Sequence, residues 1–385
     1  MRKLSLIIKS LTISFCFAQF DNVPENENII LLVGPDNYYQ SSVEEITQFH
    51  INFVNAEGSR DNIFIMMNNY NDSYYHGNVD SEKLFYGNIN DIWIRDFSCE
   101  QVQETQHKFE YSPDYLDNWT SNWIENSYIT WLNTQNIDYS NESIVLDGGN
   151  FVTDGISKAV VTTRIFSDNP NYSETEIRTY FQANLGIEQL AIIPEEEGDI
   201  TGHSDGMVFW LTPNKLAVCD YDEPFRTEVY NALTPEFTDV EFIDIPYAPT
   251  DDVSPDGFPS CKGIYVNALH TTDNIYVPVY NLPEDSEAIA VFEEHTNKTI
   301  IPVDADEVSL WGGSVHCLSW EILRAPELLI GDVNYDNNID ILDIALIVNY
   351  ILGFENNIEN ADMNNDGLIN IVDTMVLVNL VLSIE

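Results

Sequence analysis

The chain has 385 residues, of which 44% are hydrophobic and 12% aromatic, and it carries 64 acidic against 15 basic side chains. This apolar fraction excludes a disordered chain and leaves room for one large core and a second, smaller domain. The formal net charge of −49 disfavours binding to nucleic acid or to an anionic membrane surface, and it attracts cations and cationic substrates.

The N-terminus has the pattern of an export signal. A basic start precedes a short apolar stretch, and small residues at Cys16 and Ala18 predict cleavage after Ala18. Lys9 interrupts the apolar stretch, and no later segment is long and apolar enough to span a bilayer. We therefore expect a signal peptide over residues 1–18 and a secreted, periplasmic or cell-surface protein. The remaining cysteines are scattered, and their pairing stays open.

Residues 19–326 are expected to form an α/β domain, because short apolar runs alternate with helical stretches. The runs typical of buried strands are 29–33, 63–67, 159–163, 207–211, 216–219 and 275–279. The stretches typical of helices are 42–52, 174–185 and 283–294.

Residues 327–385 are expected to form a second, small helical domain, because they contain an internal repeat. Each copy is an acidic loop, beginning at Asp332 or at Asp362, followed by apolar residues at helical spacing. The predicted apolar stripes are Ile344, Ile347, Val348 and Ile351 in the first copy, and Met375, Val378 and Leu382 in the second.

Oxygen-bearing residues recur in both copies at alternate positions of a twelve-residue loop. Calcium takes six to eight hard oxygen ligands, and such a loop supplies them from positions 1, 3, 5, 7, 9 and 12, with a backbone carbonyl at position 7. Gly367 stands at position 6 of the second loop, where the turn is sharp. The sequence therefore predicts two structural Ca²⁺ ions, held by Asp332, Asn334, Asp336, Asn338, Asp340 and Asp343 and by Asp362, Asn364, Asp366, Leu368, Asn370 and Asp373.

With Asp as the last ligand of each loop, the paired arrangement over residues 331–384 resembles a type I dockerin module. The resemblance implies docking onto a cohesin-like or cell-surface partner, often through Ser-Thr-like residues at loop positions 10 and 11. Here those positions hold Ile341, Leu342, Ile371 and Val372. A calcium-binding tail is therefore the firmer expectation.

Reactive and small residues concentrate in four segments of the large domain: NDIWIRDFS, LDGGNFVTDG, TGHSDGMVFW and WGGSVHCLSW. Cys317 is a nucleophile that needs a base or a cation nearby, and His203 is able to transfer protons near neutral pH. Asp96 and Asp205 offer the paired carboxylates that bind a planar guanidinium. Together they predict one site for a cationic guanidine substrate, with no cofactor for catalysis.

The order W-x-R-D, G-G-N, G-H-x-D and G-G-x-x-H-C resembles the agmatine deiminase and Porphyromonas-type peptidyl-arginine deiminase family over residues 26–324. The segment YVNALHTTDNIYVPVY is similar to the family segment that holds an active-site Asn, here Asn267. The resemblance implies the pentein fold, an α/β-propeller of five ββαβ modules.

The resemblance also implies a role for each residue. Cys317 attacks the guanidinium carbon, while Asp96 and Asp205 hold its nitrogens. His203 protonates the leaving ammonia and then activates the water that hydrolyses the thiouronium. The residues expected to line the substrate pocket are Trp93, Asn150 and Asn267.

The substrate stays open among three guanidines. Export and the G-G-N-F segment favour arginine or peptidyl-arginine, whereas agmatine is the alternative. Agmatine deiminases carry Glu where this chain has Asp147, and the stretch HKFEYSPDYLDN lacks the arginines that bind a C-terminal carboxylate in the secreted type; Arg164 and Arg226 are the substitutes. A catalytically idle binding protein displayed on a calcium-dependent module is the competing reading. A cysteine peptidase ranks lowest, since it has no use for two guanidinium-binding carboxylates.

Overall fold

The computed structural model describes residues 20, 23–24, 26–135, 137–254, 257–324, 331, 333, 339–353, 361–364 and 367–384. The chain divides into two compact units, Met1–Arg324 and Ala325–Glu385. The predicted signal peptide lies outside the described residues. Among the helices that are described, none has the length and apolarity that crossing a membrane requires.

The larger unit contains sixteen strands within its described part. They are β1 (Asn28–Val33), β2 (Asp61–Met67), β3 (Leu84–Tyr86), β4 (Cys99–Val102), β5 (Thr105–Glu110), β6 (Ser140–Val145), β7 (Val152–Thr153), β8 (Lys158–Thr162), β9 (Gln189–Ile193), β10 (Val208–Thr212), β11 (Lys215–Cys219), β12 (Glu241–Ile245), β13 (Leu269–His270), β14 (Asn274–Val279), β15 (Thr299–Asp304) and β16 (Ser319–Ile322).

Helices connect many of these strands, and two more form the second unit. They are α1 (Val43–Asn55), α2 (Asp72–Tyr75), α3 (Ile94–Phe97), α4 (Asn118–Thr134), α5 (Arg164–Asp168), α6 (Glu174–Tyr180), α7 (Phe225–Leu233), α8 (Asp285–His295), α9 (Ile341–Ile351) and α10 (Ile371–Ile384).

One connection recurs in five sheets of the described chain. Four sheets have the orders β4-β5-β6, β7-β8-β9, β10-β11-β12 and β13-β14-β15, and the fifth has the order β16-β1-β2-β3. In each, an antiparallel pair shares its second strand with a parallel pair, and the parallel crossover contains a helix. The molecule is therefore a mixed α/β fold. Because β16 pairs with β1, the last strand of the large unit lies beside the first, with Ile322 opposite Ile29.

The strands and helices predicted from apolar runs are all present, with ends shifted by a few residues. The predicted runs correspond to β1, β2, β8, β10, β11 and β14, whereas the other ten described strands and α4 were not predicted. Strands β4 and β5 were missed because they bury polar side chains, among them Glu100, His107 and Lys108, so their residues do not form an apolar run.

In the second unit α9 and α10 pack against each other around Ile347 and Leu377, both fully buried. The predicted stripe on α10 was wrong at both ends, since Met375 is 61% and Leu382 66% exposed. The inward face instead follows Asp373, which is fully buried, and continues one turn later with Leu377.

Candidate active site

Arg95 joins two segments of the site. Its buried guanidinium donates to Glu100 Oε1 at 2.8 Å and Oε2 at 3.0 Å, and also to Glu321 Oε2. The Arg95 backbone N–H donates to the carbonyl of Cys317 at 3.3 Å. The α3 turn that carries Asp96 is thereby tied to β4, to β16 and to the segment that ends at Cys317.

Cys317 Sγ lies between an amide and a carboxylate. The Nδ2 of Asn267 donates to the sulfur at 3.1 Å, and the thiol faces Asp205 Oδ2 at 3.6 Å. Asn267 is itself fixed, because its Oδ1 accepts from the Ser314 hydroxyl at 2.9 Å. The side chain of Asn267 is therefore oriented to stabilise negative charge on the sulfur.

The Gly-Gly pair before Cys317 makes room for this arrangement. Gly312 has φ +96°, which favours glycine. A Cβ on Gly313 would overlap the ring of Trp93 and would lie 3.1 Å from Cys317 Sγ. Trp93 therefore packs against the backbone immediately beside the nucleophile.

His203 lies between two carboxylates. Its Nε2 is 3.2 Å from Asp147 Oδ2, and its Nδ1 is 3.6 Å from Asp96 Oδ1. Tyr115 donates its hydroxyl to the same oxygen of Asp147 at 2.9 Å. Gly149 permits the close approach, because a Cβ there would overlap His203 Nδ1 and lie 3.0 Å from Asp96 Oδ1.

His316 was not assigned a role from the sequence, although it immediately precedes Cys317. Its Nδ1 is 2.8 Å from Asp205 Oδ2, the oxygen that also faces the thiol. Burial and the charge of Arg95 lower the pKa of His316, so the ring is neutral and Nδ1–H donates to the carboxylate. The signal available in the sequence was the His-Cys pair of the motif, to whose histidine no function was assigned.

The charges of the site are unbalanced when no substrate is bound. Burial raises the pKa of Asp96 to about 8; His203 opposes this shift, and Asp147 and Asp205 add to it. Burial opposes the charged form of His203, but Asp96, Asp147 and Asp205 outweigh burial and raise the pKa of His203 to about 10. Burial tends to raise the pKa of Asp205, but the hydrogen bond and electrostatic attraction of His316, together with the charges of His203 and Arg95, outweigh burial and lower the pKa.

The nucleophile is held as a neutral thiol in this environment. Burial, followed by the charges of Asp205 and Asp96, raises the pKa of Cys317 well above its usual value. Asp96 Oδ1 is also buried without a hydrogen-bond partner among the described residues. A bound planar cation would satisfy this oxygen and favour the thiolate, because an opposite charge nearby stabilises the ionised form.

The structure brings together the four predicted catalytic residues and two of the three predicted pocket residues. Cys317 contacts Asp205, His203 lies beside Asp96, and Asn267 and Trp93 adjoin the Cys317 segment. The Oδ1 of Asn150 accepts from the backbone N–H of Thr162 at 2.8 Å, and the role of Asn150 in the pocket stays a prediction.

Neither of the arginines named as substitutes for a carboxylate-binding residue is free. Arg164 pairs with Asp114 and lies 3.6 Å from Glu195, and its Cδ would be 3.0 Å from a Cβ on Gly202, next to His203. Arg226 pairs with Asp220 and Asp244.

The four described cysteines of the large unit are free thiols. Cys99, Cys219 and Cys261 are buried, and burial is the main cause that raises the pKa of each. The sequence left the disulfide pairing open, and no disulfide forms among these four described cysteines. Cys317 is the least buried of the four.

The second unit holds part of the predicted calcium loops. Asp332, Asn334, Asp336, Asn338 and Asp366 lie outside the described residues. The position-12 residues have matching contacts: Asp343 accepts from the N–H of Val333 at 2.7 Å and of Asp340 at 2.8 Å. Asp373 accepts from Met363 at 2.9 Å and Asn370 at 2.8 Å. These fully buried carboxylates fit a loop that collects hard oxygen ligands around a cation.

Comparison with known proteins identifies the family of this chain. The model of Porphyromonas-type peptidyl-arginine deiminase matches residues 23–322, and the model of the dockerin type I domain matches residues 330–382. The agmatine deiminase of Pseudomonas fluorescens is 26% identical over 216 residues, which are 47% of this chain and 58% of that protein. The chain thus spans little more than half the length of this relative.

Solved structures share the fold. The C. jejuni agmatine deiminase superposes with a TM-score of 0.67 at 19% identity, covering 79% of this chain and 96% of that one. An Enterococcus faecalis agmatine deiminase gives a TM-score of 0.64 at 17% identity, covering 80% and 97%. The chain therefore belongs to the Porphyromonas-type peptidyl-arginine deiminase family and ends in a type I dockerin domain.

Proposed function

We propose that the large unit hydrolyses a guanidinium group to a ureido group and ammonia through a covalent thiouronium on Cys317. The observation that carries this proposal is the placement of Cys317 Sγ 3.1 Å from Asn267 Nδ2 and 3.6 Å from Asp205, in a site where the buried Asp96 Oδ1 accepts no hydrogen bond from the described residues. We also propose that the five sheets surround this site as the modules of a pentein propeller.

The residues divide the reaction into two steps. Asp96 and Asp205 bind the guanidinium nitrogens, and the cation favours loss of the Cys317 proton to solvent water. The thiolate then bonds to the guanidinium carbon, the C–N bond breaks, and protonated His203 supplies the proton with which ammonia leaves. His203 next takes a proton from water, the oxygen bonds to carbon, and the C–S bond breaks. The departing thiolate takes up the proton that the new ureido oxygen loses, which restores the thiol.

The tail of the substrate is expected to lack a carboxylate. Arg164, the guanidinium adjacent to the His203 segment, is paired with Asp114 and Glu195, so a carboxylate would have to compete with two acids. Burial, with Asp147 and Asp114 adding to it against Arg164, raises the pKa of neighbouring Asp168 to about 6. These acidic side chains favour a substrate whose tail carries a second positive charge. Agmatine is the substrate that fits this requirement best. Internal peptidyl-arginine, with a neutral tail, ranks second.

Ammonia release by the full-length protein tests both statements. Agmatine, a peptide with internal arginine, free arginine and a peptide with C-terminal arginine are compared by kcat/KM. We expect agmatine to exceed free arginine by at least about tenfold, the equivalent of about 1.4 kcal/mol. Asp114→Asn, which weakens the pairing of Arg164, should narrow this ratio. Free arginine turned over as well as agmatine would overturn the substrate assignment alone.

The chemistry itself is tested with Cys317→Ala. No ammonia from any of the four compounds with the unmodified protein would overturn the deiminase assignment and leave the binding-protein reading ahead. Equal turnover by Cys317→Ala and the unmodified chain would overturn the thiouronium step.

We propose further that the second unit binds two structural Ca²⁺ ions through the twelve loop residues named from the sequence, and that it docks the exported enzyme onto a cohesin-like partner. Ile341, Leu342, Ile371 and Val372, at positions 10 and 11 of the loops, are all exposed. Their exposure supports an apolar docking contact instead of a hydroxyl-mediated one. Simultaneous Ala substitution of these four residues should abolish capture by an immobilised cohesin.

A further inference from the structure

A concave groove runs along one face of α4, away from the residues assigned to catalysis. It is lined by residues of α4 spaced three or four apart and by the segment after β3, and its volume is about 710 Å³. From Trp119 to Gln135 the lining covers seventeen residues, and the sixteen helical rises between them measure about 24 Å. The groove is therefore long enough for an extended ligand.

Aromatic rings form one end of the groove. Trp119 and Trp123 are stacked at a centroid distance of 6.0 Å with an interplanar angle of 5°, and they are 73% and 42% exposed. The third ring, that of exposed Tyr86, is fixed by a hydrogen bond from its hydroxyl to Asp72 at 2.7 Å. Such flat apolar faces remain open to solvent although the same protein buries most of its other tryptophans.

The rest of the lining is polar but uncharged. Eight of the thirteen lining residues are Asn, Gln, Ser or Thr, and none is acidic or basic, although the chain has 64 acidic residues. Asn126 donates through Nδ2 to the carbonyl of Asn122 at 2.6 Å, and Asn122 donates likewise to Asn118. An Asn side chain held through its Nδ2 still has its Oδ1 as an acceptor. Trp131, buried at the groove, has an indole N–H without an acceptor among the described residues.

These features select one kind of occupant. A charged ligand would find no counter-charge in the lining, and a wholly apolar one would cover its amides and hydroxyls without offering them hydrogen bonds. We propose that the groove binds a neutral oligosaccharide, whose hydroxyls pair with the amides and whose C–H faces pack on Trp119 and Trp123.

Calorimetric titration of the full-length, calcium-loaded protein tests this proposal. The probes are cellohexaose, xylohexaose and mannohexaose, with hexagalacturonate as the charged counterpart. We expect at least one neutral hexasaccharide to bind with a Kd below about 1 mM, and hexagalacturonate not to bind. Trp119→Ala should weaken binding about tenfold, whereas Tyr172→Ala, which removes an exposed aromatic ring outside the groove, should not change it.

Deiminase activity and molecular mass are measured on the same variants. Unchanged activity of Trp119→Ala shows that it folds, so a loss of sugar binding is then specific to the groove. Binding of none of the neutral probes, or equal affinity of Trp119→Ala and the unmodified protein, would overturn the proposal. So would a Trp119→Ala variant that turns a dimer into a monomer, because the face would then be a contact between two copies.

Discussion

At the scale of single residues, the site combines a thiol that resists ionisation with a histidine that resists deprotonation. Cys317 is surrounded by Asp96 and Asp205, which raise its pKa together with burial, and His203 retains its proton because the same carboxylates stabilise the imidazolium. A bound cation would favour ionisation of Cys317, while His203 stays protonated. The substrate therefore supplies part of the electrostatics that its own reaction needs.

This arrangement predicts an alkaline optimum for kcat/KM. Activity should rise with pH through about 8, where Asp96 loses its proton and becomes able to bind the guanidinium. It should fall as the pH passes about 10, where His203 loses the proton that the leaving ammonia needs. A pH series of initial rates with agmatine checks both limbs. A rate that is already maximal at pH 6 would contradict the assignment of Asp96.

His316 is expected to act through Asp205. His316→Ala removes the donor that lowers the pKa of Asp205, so the carboxylate should bind guanidinium less well and KM should rise about tenfold or more. The ascending limb of the pH profile should also move to higher pH. His316→Asn keeps an N–H donor and should recover part of the loss. A lower kcat at unchanged KM in both variants would show that His316 acts on the chemical step instead.

At the scale of secondary-structure elements, short turns with glycines position the side chains. Gly313→Ala would place a methyl group against Trp93 and Cys317, so we expect at least a hundredfold loss of kcat/KM from a displacement of about 1 Å at the nucleophile. Gly206→Ala is the matched control, since nothing lies within 4 Å of its Cβ position. Steady-state kinetics with agmatine compare the two. Equal losses in both would mean that the turns tolerate no change at all.

We expect the buried ion pairs of Arg95 with Glu100 and Glu321 to stabilise the fold. Arg95→Met would leave Glu100 and Glu321 buried without their partner and should lower the free energy of unfolding by about 3–5 kcal/mol. Arg226→Met breaks a more exposed pair of ion contacts and should cost about 1 kcal/mol or less. Urea denaturation of both variants measures the difference. A small change for Arg95→Met would indicate that the two glutamates take up protons without loss of the fold.

How far the sequence predicts the structure differs between elements. The strands that are buried on both faces, such as β1 and β14, form continuous apolar runs and could be predicted from the sequence. Strands β4 and β5 could not, because Glu100, His107 and Lys108 find their partners only in the tertiary structure. The same holds for the site: its reactive residues could be named from their types, whereas the contact of His316 with Asp205 joins positions that are 111 residues apart.

At the scale of the whole molecule, catalysis and metal binding are assigned to different units. The described residues of the proposed deiminase site all lie within Met1–Arg324, and the predicted calcium ligands all lie within Ala325–Glu385. The described core of the second unit has four buried apolar residues, Val333, Ile347, Ala361 and Leu377. We expect a described core of this size to stabilise the domain only in part, and bound calcium to supply the remainder.

Calcium removal should therefore affect the two units differently. In excess EDTA the amide hydrogens of Ile341–Ile351 and Ile371–Ile384 should lose protection from exchange, because Asp343 and Asp373 would remain buried beside other uncompensated carboxylates. Deiminase activity should stay within about twofold, since no residue of the proposed reaction belongs to the loops. Added calcium should restore protection, and Asp373→Asn should raise the calcium concentration at which it returns. Activity that falls in parallel with protection would mean that the catalytic unit depends on the folded calcium loops.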